Sequence, residues 1–321
     1  PGEALELENF EPDISGGYRR ISGFRKYVNA IVPQTSSSSE LLLMVAKFDN
    51  KVLAARGEKI FSAASAELSI AIASGTGMTG SGTITVPSTT GFSSSGTLQI
   101  NSELFTYTGI TSTTFTGVTR ATSSTTAATH AKLDVVSESW TERDTGRTSA
   151  KKYNFERFNF DGNEKIILVD QTNAPVVFNT SLSATDVSTS SVVGSTVVAA
   201  YRNHMFYAGK STTPQEIVFS EPFNEDGFSS GAGAGSIKVD DTVVALKVFR
   251  DSLFIFCENR IFKLTGSSLS DFAVQPVTRN IGCVNGFTVQ EFAGDLIFLG
   301  PDGLRTVAAT ARIGDTELGT I

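Results

Sequence analysis

One arrangement of apolar and polar positions recurs along the chain. An apolar residue leads into a short polar turn, a short apolar strand follows, and a second polar turn leads into another strand. It runs over Phe48 to Phe61, Phe160 to Asp170, Tyr201 to Gly209, Phe249 to Phe262 and Phe292 to Leu304. Strand, polar turn and strand in this order predict antiparallel hairpins. The first turns, placed at Asp49, Asp161, Arg202, Asp251 and Asp295, are spaced by about 112, 41, 49 and 44 residues, and blade-forming repeats have periods of about 40–50. A small antiparallel sheet leaves two edges and a face uncovered, and radial stacking protects them. Strands such as Leu253–Cys257 are apolar throughout, as expected when both faces meet a neighbouring sheet. The pattern predicts an all-β, β-propeller-like fold, irregular or incomplete. A β-sandwich with irregular hairpins is the alternative.

The interval of about 112 residues exceeds one period, so it predicts an insertion. Residues 74–131 differ from their surroundings: close to half are Ser or Thr, and only Glu103 and Arg120 carry charge. Such a composition also suits a flexible linker. Alternation argues for strands instead, at Thr83–Pro87, Thr97–Asn101, Glu103–Tyr107 and Thr113–Thr119. Thr suits strands but contributes little to a core, so each strand is expected to bury one thin face. The domain plan is therefore residues 1–73 as the first part of the propeller-like domain, 74–137 as an inserted β domain, and 138–321 as the remainder.

Composition narrows the functional classes. The 321 residues carry a formal net charge of −7, and 18% are Asp, Glu, Lys or Arg. Tight nucleic-acid binding needs Lys and Arg to neutralise phosphates, so the balance is against it. Cys257 and Cys283 are the only cysteines, too few for a disulfide framework. Both have apolar neighbours, which predicts buried, reduced thiols and assembly inside a cell. No apolar run approaches the ~18 residues of a membrane helix, and no basic-then-apolar signal segment opens the chain.

Two parts of the chain resemble known proteins. The opening Leu7-Glu8-Asn9-Phe10-Glu11-Pro12-Asp13, followed by Gly16-Gly17-Tyr18-Arg19-Arg20-Ile21-Ser22-Gly23-Phe24, is similar to the start of podophage tail nozzle and tail-hub proteins (the tail tubular protein B-like family). The likeness continues at Tyr153 to Gly162 and at Gly294 to Leu304. Within the insertion, Gly91 to Leu98, Glu103 to Gly109, Phe115 to Arg120 and Ala127 to Ala131 are similar to a module common in phage structural proteins. The resemblance implies a virion protein, assembled in the host cytoplasm and forming a ring, by the family's habit a hexamer. It would contact neighbouring tail or adaptor proteins and let viral DNA pass without specific binding. It also implies further blades beyond Ile321.

Candidate chemistry is sparse. His130 and His204 are the only histidines, and no Gly-x-Ser-x-Gly turn supports a nucleophile. His204 is expected in a solvated hairpin turn. Gly231 to Ser236 is Gly-rich, but no Gly-Lys-Ser/Thr follows, so it reads as a connector. Glu221, Glu225 and Asp226, or Asp240 and Asp241, could collect a hard cation, with solvated loop acids as the plainer expectation. Arg19, Arg20, Arg25 and Lys26, interleaved with Tyr18, Phe24 and Tyr27, form the one basic aromatic cluster, a candidate subunit or DNA contact. Arg143, Arg147, Lys151 and Lys152 form a looser basic stretch, expected in solvent. No cofactor, metal or catalytic residue is assigned. The expected function is a non-enzymatic structural part of a phage tail. A host-receptor or glycan-binding tail module and a propeller glycoside hydrolase are the alternatives.

Overall fold

The structure is a computed structural model that describes residues 10–12, 18–20, 27–29, 40–148 and 151–308. The chain divides into two compact units, crossing between them ahead of residue 40, at residues 62/63 and at residues 139/140.

The larger unit is a β-propeller-like array of small antiparallel sheets. Blade 1 contains Leu42–Phe48, Lys51–Arg56, residues 59–62 and Thr141–Asp144. Blade 2 runs Asn154–Phe158, Lys165–Val169, Val176–Asn179, Ala184–Asp186. Blade 3 is Val197–Tyr201, His204–Ala208, Glu216–Phe219, Gly235–Lys238. Blade 4 is Val243–Phe249, Ser252–Cys257, Ile261–Thr265, Ala273–Thr278. Blade 5 has three described strands, Gln290–Phe292, Asp295–Gly300 and Gly303–Thr306. The first strands of blades 2, 3 and 4 lie side by side in that order, the geometry of strands gathered about a common axis.

The second strand of each middle blade shows why these sequences are apolar throughout. Side chains alternate between the two faces of a strand. Ile166 and Leu168 therefore pack towards blade 1, and Ile167 and Val169 towards blade 3. Met205 and Tyr207 face blade 2, while Phe206 and Ala208 face blade 4. Leu253, Ile255 and Cys257 return to blade 3, and Phe256 packs with Leu296 and Phe298 of blade 5. Each cluster is an interface between consecutive blades. Phe206, Phe219 and Phe256 are fully buried in these interfaces.

The hairpin turns explain the polar pairs in the repeat. Asp49–Asn50, Arg202–Asn203 and Ala293–Gly294 take positive φ at both central positions, as a two-residue hairpin loop matched to strand twist requires. Two expectations change here. The last of these turns is Ala293–Gly294, because Phe292 pairs with Asp295, which already belongs to the strand. Asp161 belongs to a six-residue loop, since Phe158 pairs with Lys165 across it.

The smaller unit takes in residues 27–29 and 63–139. Its strands lie in the order Val135–Glu138, Gly96–Ile100, Glu103–Tyr107, Thr114–Thr119, Thr79–Thr85. Alternation holds: Leu98, Ile100, Phe105, Tyr107, Phe115 and Val118 are buried, with Thr residues between them less so. Residues 63–73 belong with this unit because Ala64, Leu68 and Ile72 bury in its core. The Asn29 side chain donates to the carbonyls of Gln99 (2.6 Å) and Val135 (2.8 Å), tying 27–29 to two strands.

One connection between blades leaves no room for an added methyl. A Cβ on Gly282 would lie 2.3 Å from the Glu258 carbonyl oxygen and 2.4 Å from that of Cys257. The Cys257 oxygen is already held by the Cys283 amide at 2.8 Å. Gly282→Ala should therefore lower stability by about 1–3 kcal/mol, the usual range for overpacking. A urea midpoint equal to that of the parent would contradict this packing.

Candidate functional site

The first strands of blades 2, 3 and 4, with residues 286–290, line an open cavity of about 520 Å³. Its wall combines aromatic faces with charge. Phe155 and Phe287 remain 41% and 43% exposed, which is high for rings inside a fold. Glu156, Arg157 and Lys247 supply one carboxyl and two cations. Glu156 is half-buried, and burial pushes its carboxyl up to about 7. Lys247, the Ala200 backbone amide and Arg157 only partly oppose that shift. Burial disfavours the charged form, and here it outweighs the nearby cations. The cavity wall thus holds a carboxyl that exchanges its proton near neutrality, together with two cations and two rings.

The structure redistributes the charged residues singled out in the sequence. His204 is buried, not solvated: its Nδ1 lies 2.6 Å from the Ser220 carbonyl oxygen, and its ring packs edge-on against Phe219 and Phe272. It follows the turn and opens the second strand of blade 3, so it enters the interface with blade 4. Arg147 is likewise buried, contrary to the solvated stretch expected. It bonds Asp144 of blade 1 and both Asp186 and the Ala174 carbonyl of blade 2, clipping the two blades together. Arg143 donates to Ser62 at 2.7 Å, and Lys152 sits over the Phe287 ring at 5.8 Å.

The acidic candidates also have local duties. Glu225 pairs with Lys165 at 2.8 Å, and Glu221 accepts from the Ser229 amide at 2.9 Å. Asp241 accepts from the Asn259 amide, and Asp240 pairs with Arg260. Among the described residues, no group of three or more His, Cys, Asp or Glu is placed to hold a metal ion. The Gly-rich run makes a short 3₁₀ turn, Ser230–Ala232, and then the strand Gly235–Lys238. Cys257 and Cys283 are buried and free, and burial pushes both thiols up. No helix among the described residues is long and apolar enough to cross a membrane. Tyr18–Arg20, which includes Arg19 and Arg20, pairs antiparallel with Phe10–Pro12. Arg25 and Lys26 lie outside the described residues.

Within the smaller unit the sequence hid a polar hub. Glu103 is fully buried and receives both nitrogens of the Arg120 fork at 2.8 Å. The amides of Ala121 (3.1 Å) and Ala128 (2.9 Å) donate to it as well, and His130 Nε2 lies 2.8 Å away. Burial pushes Glu103 up, but the bonds from Arg120, Ala128 and His130 outweigh it and hold the carboxyl at about 2. Arg120 also donates to the carbonyls of Ala73, Thr76 and Ala128. Two segments that lack large apolar side chains are thereby fixed by one ion pair. A signal did exist: two lone charges of opposite sign in an otherwise uncharged stretch.

Blade 5 buries one apolar face and exposes residues of the other. Leu296 and Phe298 pack on blade 4, whereas Ile297 and Leu299 point to the opposite face. Phe292 pairs with Asp295 and Leu304 with Leu299, so both share that second face. Phe292 is 67% and Leu304 70% exposed. Among the described residues no apolar cluster joins this face to blade 1.

No family model and no curated protein matches the chain. The solved structures it resembles include the phage phi92 endosialidase, at 15% identity and a TM-score of 0.43, over 87% of this chain and 55% of that one. Another is Saccharomyces cerevisiae Sqt1, at 10% identity and a TM-score of 0.38, over 83% of each chain. This chain thus spans about half the length of the endosialidase.

The two shifted carboxyls make opposite predictions. Glu156 titrates near 7 in the folded chain and near 4.5 when exposed, so folding favours its protonated form. Stability should rise as pH falls from about 8 to 4.5. Glu156→Gln should be more stable than the parent above pH 7, by on the order of 2 kcal/mol, with the gap closing below about pH 4.5. Parallel stability curves from denaturant titrations at several pH values would contradict the shift. Glu103 has the reverse sign: its stabilisation is complete above about 4.5 and is lost as pH falls towards 2. Glu103→Gln leaves Arg120 buried without its counter-charge and should cost about 3–5 kcal/mol, read as early melting of the smaller unit by near-UV circular dichroism.

Proposed function

We propose that this chain is a non-enzymatic structural component of a phage tail, a nozzle- or hub-type ring subunit in the virion. The observation that carries this reading is the second apolar face of blade 5, which no apolar cluster among the described residues covers, with Phe292 and Leu304 exposed beside the half-buried Ile297 and Leu299. Every middle blade buries both faces, so a sheet with one face open has the character of an interface awaiting its partner. Closed rings use surfaces of this kind, pairing one patch with a different patch on the next subunit. The likeness of the opening residues to tail nozzle and hub proteins supports the choice of assembly. A formal net charge of −7 supports a conduit that does not hold the duplex, since each cationic phosphate contact adds affinity.

Other polar groups support a mechanical role. The buried charges Arg147, Glu103 and Arg120 are each engaged in joining segments of the fold. Neighbouring tail or adaptor proteins are the expected partners.

Light scattering on the purified full chain tests the reading. Assembly into a ring-sized oligomer is expected, alone or with a tail partner, and Phe292→Ser with Leu304→Lys should shift the population to monomer while thermal melting stays near that of the parent. A chain that stays monomeric at high concentration with every tail partner, or a double variant that assembles like the parent, rules this interface out.

A further inference from the structure

A second cavity, of about 430 Å³, lies between the outer strands of blade 2 and the loop that follows Glu216–Phe219 in blade 3. Its size falls within the ~300–1,000 Å³ of small-molecule sites. Phe223, Asp161, Lys165, Asn179, Glu225 and Asp226 line it. Phe223 is 57% exposed and belongs to none of the apolar clusters.

The loop that presents Phe223 is tied down along its length. The Phe223 amide donates to the Asn203 carbonyl at 2.7 Å, and the Glu221 amide to that of Gly227 at 2.8 Å. The Tyr207 hydroxyl donates to the Glu225 carbonyl at 2.6 Å, and Lys165 pairs with the Glu225 carboxylate at 2.8 Å across the two blades. The cavity wall is therefore set before any ligand arrives, which lowers the ordering cost of binding.

Its chemistry selects among ligands. Three carboxylates face a single ammonium, so the site is net negative and disfavours an anion. Asp161 and Glu225 converge on the Lys165 ammonium, at 3.5 and 2.8 Å, while Asp226 stands apart from that pair. The Asp226 carboxylate, the Asn179 amide and the Phe223 ring suit a molecule with several hydroxyls and one apolar side. We propose that this cavity is a binding site for an uncharged glycan of one or two sugar units, with Phe223 as the stacking platform and Asp226 as a hydroxyl acceptor. The site is independent of the blade 5 interface.

The full chain on an array of neutral and sialylated glycans tests the proposal, followed by ligand-observed NMR titration with the best neutral glycan. Retention of neutral glycans is expected, with their sialylated counterparts bound at least about tenfold more weakly. Phe223→Ala and Asp226→Asn should each weaken the neutral glycan about tenfold or more. Asp226 is exposed, so its variant should melt at the parent's temperature and keeps the test meaningful if the loop of the other variant rearranges. Failure to retain any neutral glycan, equal binding of sialylated forms, or parent-like binding by both variants would overturn it.

Discussion

Face-to-face packing between consecutive sheets is the interaction on which this protein depends. No blade of three or four strands encloses a core of its own. Ile166 and Leu168 are buried because blade 1 covers them, and Ile167 and Val169 because blade 3 does. The same division recurs at Met205–Ala208 and at Leu253–Cys257. Stability in such an array is a sum over interfaces, so every sheet relies on its neighbours. The logic breaks at blade 5, where one face is packed and the other shows Phe292 and Leu304. On the proposed reading, the packing that stabilises the interior becomes, at this fifth described sheet, an attachment surface.

Charge serves two different ends in this fold. Where apolar side chains run out, buried ion pairs replace them. Arg120 and Glu103 pin segments made mostly of Ser, Thr, Ala and Gly, and Arg147 clips blade 1 to blade 2. Breaking such pairs costs more than forming them gains, so they specify geometry more than they add stability. Elsewhere charge is left with slack. Glu156 borders an open cavity with a carboxyl poised near neutral pH, and Asp226 stands exposed beside Phe223.

Much of the architecture was legible in the chain, because strand formation and turn type are set by near neighbours. Glu103–Tyr107 and the turns at Asp49, Arg202 and Arg250–Asp251 could be placed from alternation and polar pairs alone. The fully apolar strand Leu253–Cys257 announced two covered faces. What escaped was decided by distant segments. His204 looks like a turn residue until Phe219 and Phe272 close over it. Arg147 sits in a basic stretch, and only the approach of Ala174 and Asp186 makes it a buried clip. Both cavities arise where blades meet, and no local pattern marks Phe155, Phe287 or Phe223 as lining one.

The central claim is that stacked sheets form an array, with the second apolar face of its fifth described sheet proposed to be covered by a neighbouring subunit in the working assembly. A cryo-electron microscopy map of the chain within that assembly, at side-chain detail, tests it most directly. The account predicts the five described sheets packed in chain order, with Phe292 and Leu304 buried under a neighbouring subunit. A map in which that face stays open to solvent, or in which the sheets pack as two continuous layers, would contradict it.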